Sequence, residues 1–388
     1  MTFLSLLIHP AFACGGFVPM PGEVVSSDAQ QALFDVGADS ITVTYRARYR
    51  GSPTDFAWVV AVPGHIATVE KGDAARLDAI QLASAPVVKV DPDVNSGGGC
   101  GCGATDNGVS KGDVGGDLGD SNGLEVTGHG YAGNLEYTTL SAENADSLNA
   151  WLADNGYDTS LIADSVTGYV DDPTGYEWVA VRLIPELTEV GTDTGWNGEG
   201  APVLVDPLKI TYGAADDGEL HTIFPSKLGV TSSSTSVRTE IYVLATGFST
   251  LSGWDTAEGG GKTAEQPYDI IAPDYVSPTG MYEGLLSSVG GTVPRMFLVY
   301  ANAYTDAGAS RWLTRYDSIV APATNTLDPV FTDSGKERKE STDIYSQEEA
   351  NYEAEHPDGG EGYYTWLFPV GLLGAATWRR RKLDARLS

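Results

Sequence analysis

Apolar residues recur with strand periodicity over most of the chain and with helical periodicity in three short stretches. Ile41-Thr42-Val43-Thr44-Tyr45 alternates, and Phe56-Ala57-Trp58-Val59-Val60-Ala61-Val62 is continuously apolar. The two runs are separated by Arg50-Gly51-Ser52-Pro53 and the second ends at Pro63-Gly64, which predicts a meander of two strands. Ala74 to Ala83 carries Leu77, Ile80 and Leu82 at helical spacing, and Val87-Val88-Lys89-Val90 reads as a strand after it. A second helix is predicted to start at Ser141 as N-cap, with Glu143 in its first turn. Its stripe of Ala145, Leu148, Trp151 and Leu152 stops at Asn155-Gly156. A third helix is predicted over 160–169. Strands resume at Glu177–Leu183, Leu208–Tyr212, 239–245 and 295–300. Strand runs broken by one helical pair predict an α+β fold with mainly antiparallel sheets.

Two stretches lack such periodicity. The glycine-rich segment 96–130 offers no core-forming stripe and reads as an excursion from the domain. The charged segment 334–362 has few core residues and suits a flexible stalk.

The two ends carry targeting signals. Residues 1–13 combine the short apolar run Phe3-Leu4-Ser5-Leu6-Leu7-Ile8 with Ala11-Phe12-Ala13, a signal-peptidase pattern, although no Lys or Arg precedes the run. A buried first strand is the structural alternative. Lipid attachment at Cys14 fits less well, because Ala11 and Phe12 occupy the places where a Leu-like and a small residue are expected. At the other end, 363–378 reads as a single membrane-spanning helix. About 16 residues at 1.5 Å rise give roughly 24 Å, short of the roughly 30 Å hydrocarbon core. Trp366, Leu367, Phe368, Leu372, Leu373 and Trp378 would sit in the bilayer and at its interfaces. Arg379, Arg380 and Arg381, within a basic tail at 379–388, would stay cytoplasmic and orient the rest outward. A buried amphipathic helix is the alternative, although only Thr365 and Thr377 are polar within the segment. The layout also resembles bacterial C-terminal sorting signals, which pair a short Pro-containing apolar segment with an Arg cluster.

Composition fits an exposed protein. With 23 Lys and Arg against 53 Asp and Glu, the net charge of -30 argues against nucleic-acid partners, since a phosphate backbone would be repelled. At 41% hydrophobic residues the chain is still equipped to build a core.

Candidate chemistry is sparse. Cys14, Cys100 and Cys102 in an exported chain allow one disulfide and leave one thiol over. Joining Cys14 to Cys100 or Cys102 would constrain the unfolded chain by roughly 3 to 5 kcal/mol. A Cys100–Cys102 bridge would be a strained, labile ring with redox character. A zinc site of the three thiols with His129 lacks Cys-x-x-Cys spacing. Asp113, Asp117, Asp120, Asn122 and Glu125 offer oxygen ligands for calcium within one loop, but without EF-hand spacing. His65, His129 and His221 are the histidines placed to serve a folded site, and each also reads as an ordinary loop or strand-end residue. There is no Gly-x-Ser-x-Gly elbow, no His-Glu-x-x-His helix and no phosphate-cradling loop.

A series of short motifs carries a resemblance. Cys14-Gly15-Gly16-Phe17, Tyr49-x-Gly51 followed by Asp55-Phe56-Ala57-Trp58-Val59, and Trp151-Leu152 with Asn155-Gly156-Tyr157 open it. Asp206-Pro207-Leu208, Phe224-Pro225-Ser226-Lys227-Leu228-Gly229 and Trp312-Leu313-Thr314-Arg315 complete it. In this order they resemble the bacterial exported family catalogued as domain of unknown function 2330, over 14–333. The resemblance implies a secreted or envelope protein, often with a C-terminal anchor, and supplies no catalytic residues. The expected protein is thus a membrane-anchored, non-catalytic structural or binding ectodomain with an envelope or surface partner. An exported hydrolase or thiol-redox protein using Cys100, Cys102 or a histidine is the alternative.

Overall fold

The computed structural model describes residues 15–22, 25–50, 56–90, 123–184, 203–231, 237–257, 268–272, 282–283, 286, 294–306, 308–320, 327–346 and 364–367. Its centre is a pair of sheets packed face to face. The smaller runs Gly16–Pro19, Phe56–Val62, Glu177–Leu183, Leu135–Ala142, Leu124–Ala132, antiparallel throughout. The larger runs Asp255–Ala257, Arg295–Asp306, Ala309–Val320, Val237–Ala245, Ser26–Val36, Ile41–Arg50, Leu208–Tyr212, Ile66–Lys71. Two of its pairings are parallel, Ser26–Val36 with Val237–Ala245 and Asp255–Ala257 with Arg295–Asp306. The α+β class with mainly antiparallel sheets therefore holds.

Alternation along the strands explains how the layers stack. Phe56, Trp58, Val60 and Val62 point inward with Val179 and Val181 to meet Phe34, Val43, Tyr45, Ile210, Ile241 and Tyr316 of the larger sheet. The intervening residues Ala57, Val59 and Ala61 face the opposite way, with Trp178 and Ala180. There they are covered by helices α2 (Ala145–Asp154) and α3 (Ala163–Val170) through Leu148, Leu152, Val166 and Tyr169. That double coverage is why Phe56–Val62 is apolar without interruption. On the outer face of the larger sheet, Leu33, Tyr242, Leu244 and Leu313 meet Leu77 and Ile80 of the first helix, α1 (Ala74–Ala83). The order of layers is helices α2 and α3, small sheet, large sheet, helix α1.

Several expectations shift. Ser141 does not cap α2, because it lies in the Leu135–Ala142 strand opposite Glu177. Asn144 caps instead, accepting from the Ser147 backbone N–H at 2.9 Å. The glycine-rich stretch closes earlier than 130, since Leu124–Ala132 is an edge strand of the small sheet. Part of the segment read as a stalk is tied to the core. Glu340 and Thr342 are buried, Glu340 and Ala301 exchange backbone hydrogen bonds, and Thr342–Ser346 pairs with Tyr268–Ala272 and Val87–Val90. At the C-terminal end, Tyr364–Leu367 forms a strand antiparallel to Val87–Val90 where a helix was expected, taking Trp366 and Leu367 with it. Among the described residues no helix is long and apolar enough to cross a membrane. Phe368, Leu372, Leu373, Trp378, Arg379, Arg380 and Arg381 lie outside the described residues.

Candidate functional site

The chain crosses from the small sheet to the large one at Pro63-Gly64-His65, between the Phe56–Val62 and Ile66–Lys71 strands. Gly64 adopts φ +151, and a Cβ there would stand 2.3 Å from the Gly213 carbonyl oxygen, so only glycine lets the two loops approach. The Gly213 N–H donates to the His65 carbonyl at 2.9 Å, completing the junction.

His65 thereby stands at one wall of a cleft of about 320 Å³, facing Glu143, Asp172, Tyr176, Glu177 and Asp216. Glu177 opens its strand on the small sheet and divides its carboxylate between two donors. Oε1 meets His65 Nδ1 at 3.0 Å, and Oε2 accepts the Ile66 backbone N–H at 2.8 Å. Asp216 Oδ1 approaches His65 Nε2 at 3.4 Å from the loop after Leu208–Tyr212, held there by its own N–H on the Thr174 carbonyl at 3.2 Å. The Glu177 hydrogen bond raises the His65 pKa, slight burial opposes it, and the charges of Glu177 and Asp216 add to the rise. The imidazole is therefore biased toward imidazolium, with a carboxylate at each nitrogen. Glu177 fixes the ring through Nδ1, while Asp216 pairs with Nε2 at 3.4 Å by charge across a largely exposed side chain.

The other two histidines are paired separately. His129 Nε2 meets Glu136 Oε1 at 3.0 Å, and Arg182 Nε donates to Glu136 Oε2 at 3.0 Å. Burial works against the Glu136 charge, but the hydrogen bonds from Arg182 and then His129 hold its pKa below the ordinary value. His221 Nε2 meets Asp217 Oδ2 at 2.8 Å across one turn. Neither His129 nor His221 lines the His65 cleft.

A second concentration of charge lies under α1 and is closed. Strand register places Arg46, Gln31, Glu240 and Asp317 side by side across four neighbouring strands. Arg46 Nε donates to Gln31 Oε1 at 2.8 Å, and Gln31 Nε2 donates onward to Glu240 Oε2 at 2.9 Å. Gln81 of α1 and the Tyr242 hydroxyl donate to the same oxygen at 2.9 and 2.7 Å. Arg238 Nε takes Glu240 Oε1 at 3.0 Å. Arg315 grips both oxygens of Asp317 at 2.7 and 2.8 Å, and Tyr282 donates to Asp317 Oδ2 at 3.0 Å. Satisfied donors and acceptors of this kind fix the register of a sheet and of the helix upon it. Neither Glu240 nor Asp317 is turned to solvent for chemistry.

The remaining sequence candidates are not assembled by the described residues. Cys14, Cys100, Cys102, Asp113, Asp117, Asp120 and Asn122 lie outside them. Glu125 is described and projects from the edge strand Leu124–Ala132 into solvent. Among the described residues no group of three or more His, Cys, Asp and Glu side chains is arranged to hold a metal ion. Sequence reasoning singled out His65 but missed its partners. Asp172-Pro173 and Asp216-Asp217-Gly218 signal turns, yet nothing local says that these turns converge on one imidazole.

No match is found among curated proteins. Among solved structures, the crystal structure of baculovirus P35 aligns with 80% of this chain and 92% of its own at 9% identity. The TM-score of 0.32 is too low to bear on fold or function. The profile of one family, described as an uncharacterized protein conserved in bacteria (DUF2330), matches residues 9–258, well over half of the chain, and the chain belongs to that family.

Proposed function

We propose that this protein is a non-catalytic binding ectodomain, exported and held at the cell envelope by its C-terminal segment, and that the His65 cleft receives a cationic group of its partner. The reading rests on one observation above the others, the engagement of both His65 ring nitrogens by Glu177 and Asp216. This placement favours a role in organising charge within the cleft. With Glu143 and Asp172 on the same walls the cleft is anionic even when His65 is protonated, which favours ammonium or guanidinium groups over anions. Export and anchoring are supported by the leader-like 1–13 and by the apolar sequence that follows the Tyr364–Leu367 strand and ends at the arginines.

The test is a titration of the purified chain with a hexalysine peptide, followed by the side-chain resonances of His65. Saturable shifts that Glu143→Gln and Asp172→Asn together abolish support the reading. Turnover of ester, amide or disulfide substrates that disappears in His65→Gln or in the Cys100→Ser, Cys102→Ser double variant would replace it with the exported-enzyme alternative. Membrane fractionation of cells producing the full chain, with and without 363–388, tests the anchor separately.

A further inference from the structure

A different cluster, buried on the far side of the small sheet, is built for chemistry between its own members. Lys227 follows Ser226 in the 3-10 turn Ser226–Thr231, and across 101 positions of sequence the pair meets Asp328. Asp328 Oδ1 accepts two hydrogen bonds, from the Ser226 hydroxyl at 3.0 Å and from the Lys227 backbone N–H at 2.9 Å. Its other oxygen, Oδ2, faces Lys227 Nζ at 3.4 Å. The Asp328 side chain is only 7% exposed, and Nζ rests 4.4 Å from the centroid of the fully buried Tyr169 ring. The Tyr169 hydroxyl has no aligned hydrogen-bond partner, although it lies close enough to Asp328 for that carboxyl to push its pKa further above what burial alone gives.

We propose that Lys227 and Asp328 condense into an intramolecular amide, which makes this pair a covalent modification site of the chain. A proton passes from the Lys227 ammonium to Asp328 Oδ2, giving amine and acid. The Nζ lone pair attacks Cγ, the Nζ–Cγ bond forms, and the carbonyl electrons move onto Oδ1. There the Ser226 O–H and Lys227 N–H stabilise the developing oxyanion as fixed donors in a dry site. The nitrogen gives up a second proton, relayed through the Tyr169 hydroxyl to Oδ2, and the Cγ–Oδ2 bond breaks to release water. One ammonium and one carboxylate become one amide and one water, with no oxidant, reductant or further reactant.

Three features of the site favour this course. An enclosed carboxylate is costly to hold, even beside a Lys227 side chain that keeps 26% exposure, and conversion to a neutral amide removes both charges. Burial, the largest influence on Asp328, moves its pKa upward against the pull of Lys227, which favours the acid form of Asp328 that the reaction needs. The fold holds the two groups side by side, with Nζ 3.4 Å from the oxygen bonded to Cγ, so part of the encounter entropy is already spent. The resulting link would fasten the Ser226–Thr231 turn to the segment entering the Val330–Asp333 strand. None of this depends on the ligand of the His65 cleft.

The experiment is mass spectrometry of the purified full chain after incubation in the folded state, followed by denaturation, thiol reduction and proteolysis. The expected result is one branched species joining the peptides that contain Lys227 and Asp328, lighter by one water than their sum. In Lys227→Arg the two peptides should run free at full mass. Two separate peptides at full mass from the wild-type chain would overturn the proposal. So would a missing water located elsewhere, for example on a succinimide at Asp217-Gly218.

Discussion

Glu240 and Asp317 stand directly opposite one another on neighbouring antiparallel strands, and both side chains are fully enclosed. Two carboxylates so placed repel unless cations intervene. Arg315 binds Asp317 through both oxygens and reaches Glu240 at 3.4 Å, while Arg238 bonds Glu240 from the other side. Burial opposes the charge on both acids. For Glu240, Arg315 and Arg238 prevail and hold the pKa below the ordinary value; for Asp317, burial prevails over Arg315 and the neighbouring Glu240 charge adds to the rise.

That asymmetry sets the order of three substitutions. Replacing Arg315 by Met leaves two buried carboxylates short of a cation and is expected to cost about 3–5 kcal/mol of folding stability. Asp317→Asn should cost less than Glu240→Gln, because Asp317 already leans toward its neutral form. Urea denaturation of the three variants at neutral pH checks the ranking. Equal losses for the two amide substitutions would show that the acids do not share the arginines unequally.

The His65 cleft predicts a pH dependence with a definite sign. Its pKa is raised in the fold, first by the Glu177 hydrogen bond. The contribution to stability is therefore complete below the unfolded value of about 6.5 and fades as pH rises through the folded value above it. In an NMR titration His65 should have its midpoint above 6.5, and Glu177→Gln should lower that midpoint. A wild-type midpoint at or below 6.5 would mean that the carboxylates do not hold the ring as described.

What was legible in the sequence, and what was not, follows from where each side chain finds its partner. Phe56–Val62, Ala74–Ala83, Val87–Val90, Glu177–Leu183 and Leu208–Tyr212 match their predicted bounds, because their apolar periodicity is carried within the segment itself. Ser26–Val36 left no such trace. Its Gln30 and Gln31 look like solvent-facing residues, yet they are buried and bond Thr239 and Glu240 at a separation of 209 residues. Ala309–Val320 was hidden in the same way by Arg315 and Asp317. A charged residue satisfied by a distant strand reads locally as surface. The His65 cleft suffers the same loss, with its imidazole visible and its carboxylates supplied by Glu177 and by the loop at Asp216.

The cap of α2 offers a compact check on a local misreading. Ser141 has the right residue type but is committed to strand pairing, whereas the Asn144 side chain accepts the Ser147 N–H. Asn144→Ala is expected to cost about 1 kcal/mol. Ser141→Ala should leave thermal stability nearly unchanged, and a larger loss at Ser141 than at Asn144 would contradict the assigned helix start.

Gly15 tests why a glycine follows Cys14. The residue has φ +72, and a Cβ built on it would fall 2.1 Å from the Val59 carbonyl oxygen, inside the pairing of Gly16 with Val59. Alanine there meets both left-handed strain and a backbone clash that no rotamer relieves. The clash would lift Gly16–Pro19 from the small sheet and disturb Phe17, whose ring packs edge-on against Phe56 at 4.9 Å and also beside Trp58. Strain of this kind costs about 1–3 kcal/mol before the lost packing is counted. Gly22 is the control: its φ is +89 but nothing lies within 4 Å of the added Cβ, so its alanine variant carries only the left-handed penalty of about 1–2 kcal/mol. Gly15→Ala should therefore unfold at lower urea than Gly22→Ala and lose near-ultraviolet circular dichroism from the Trp58 surroundings. Equal midpoints for the two variants would show that the first strand is not anchored at Gly15.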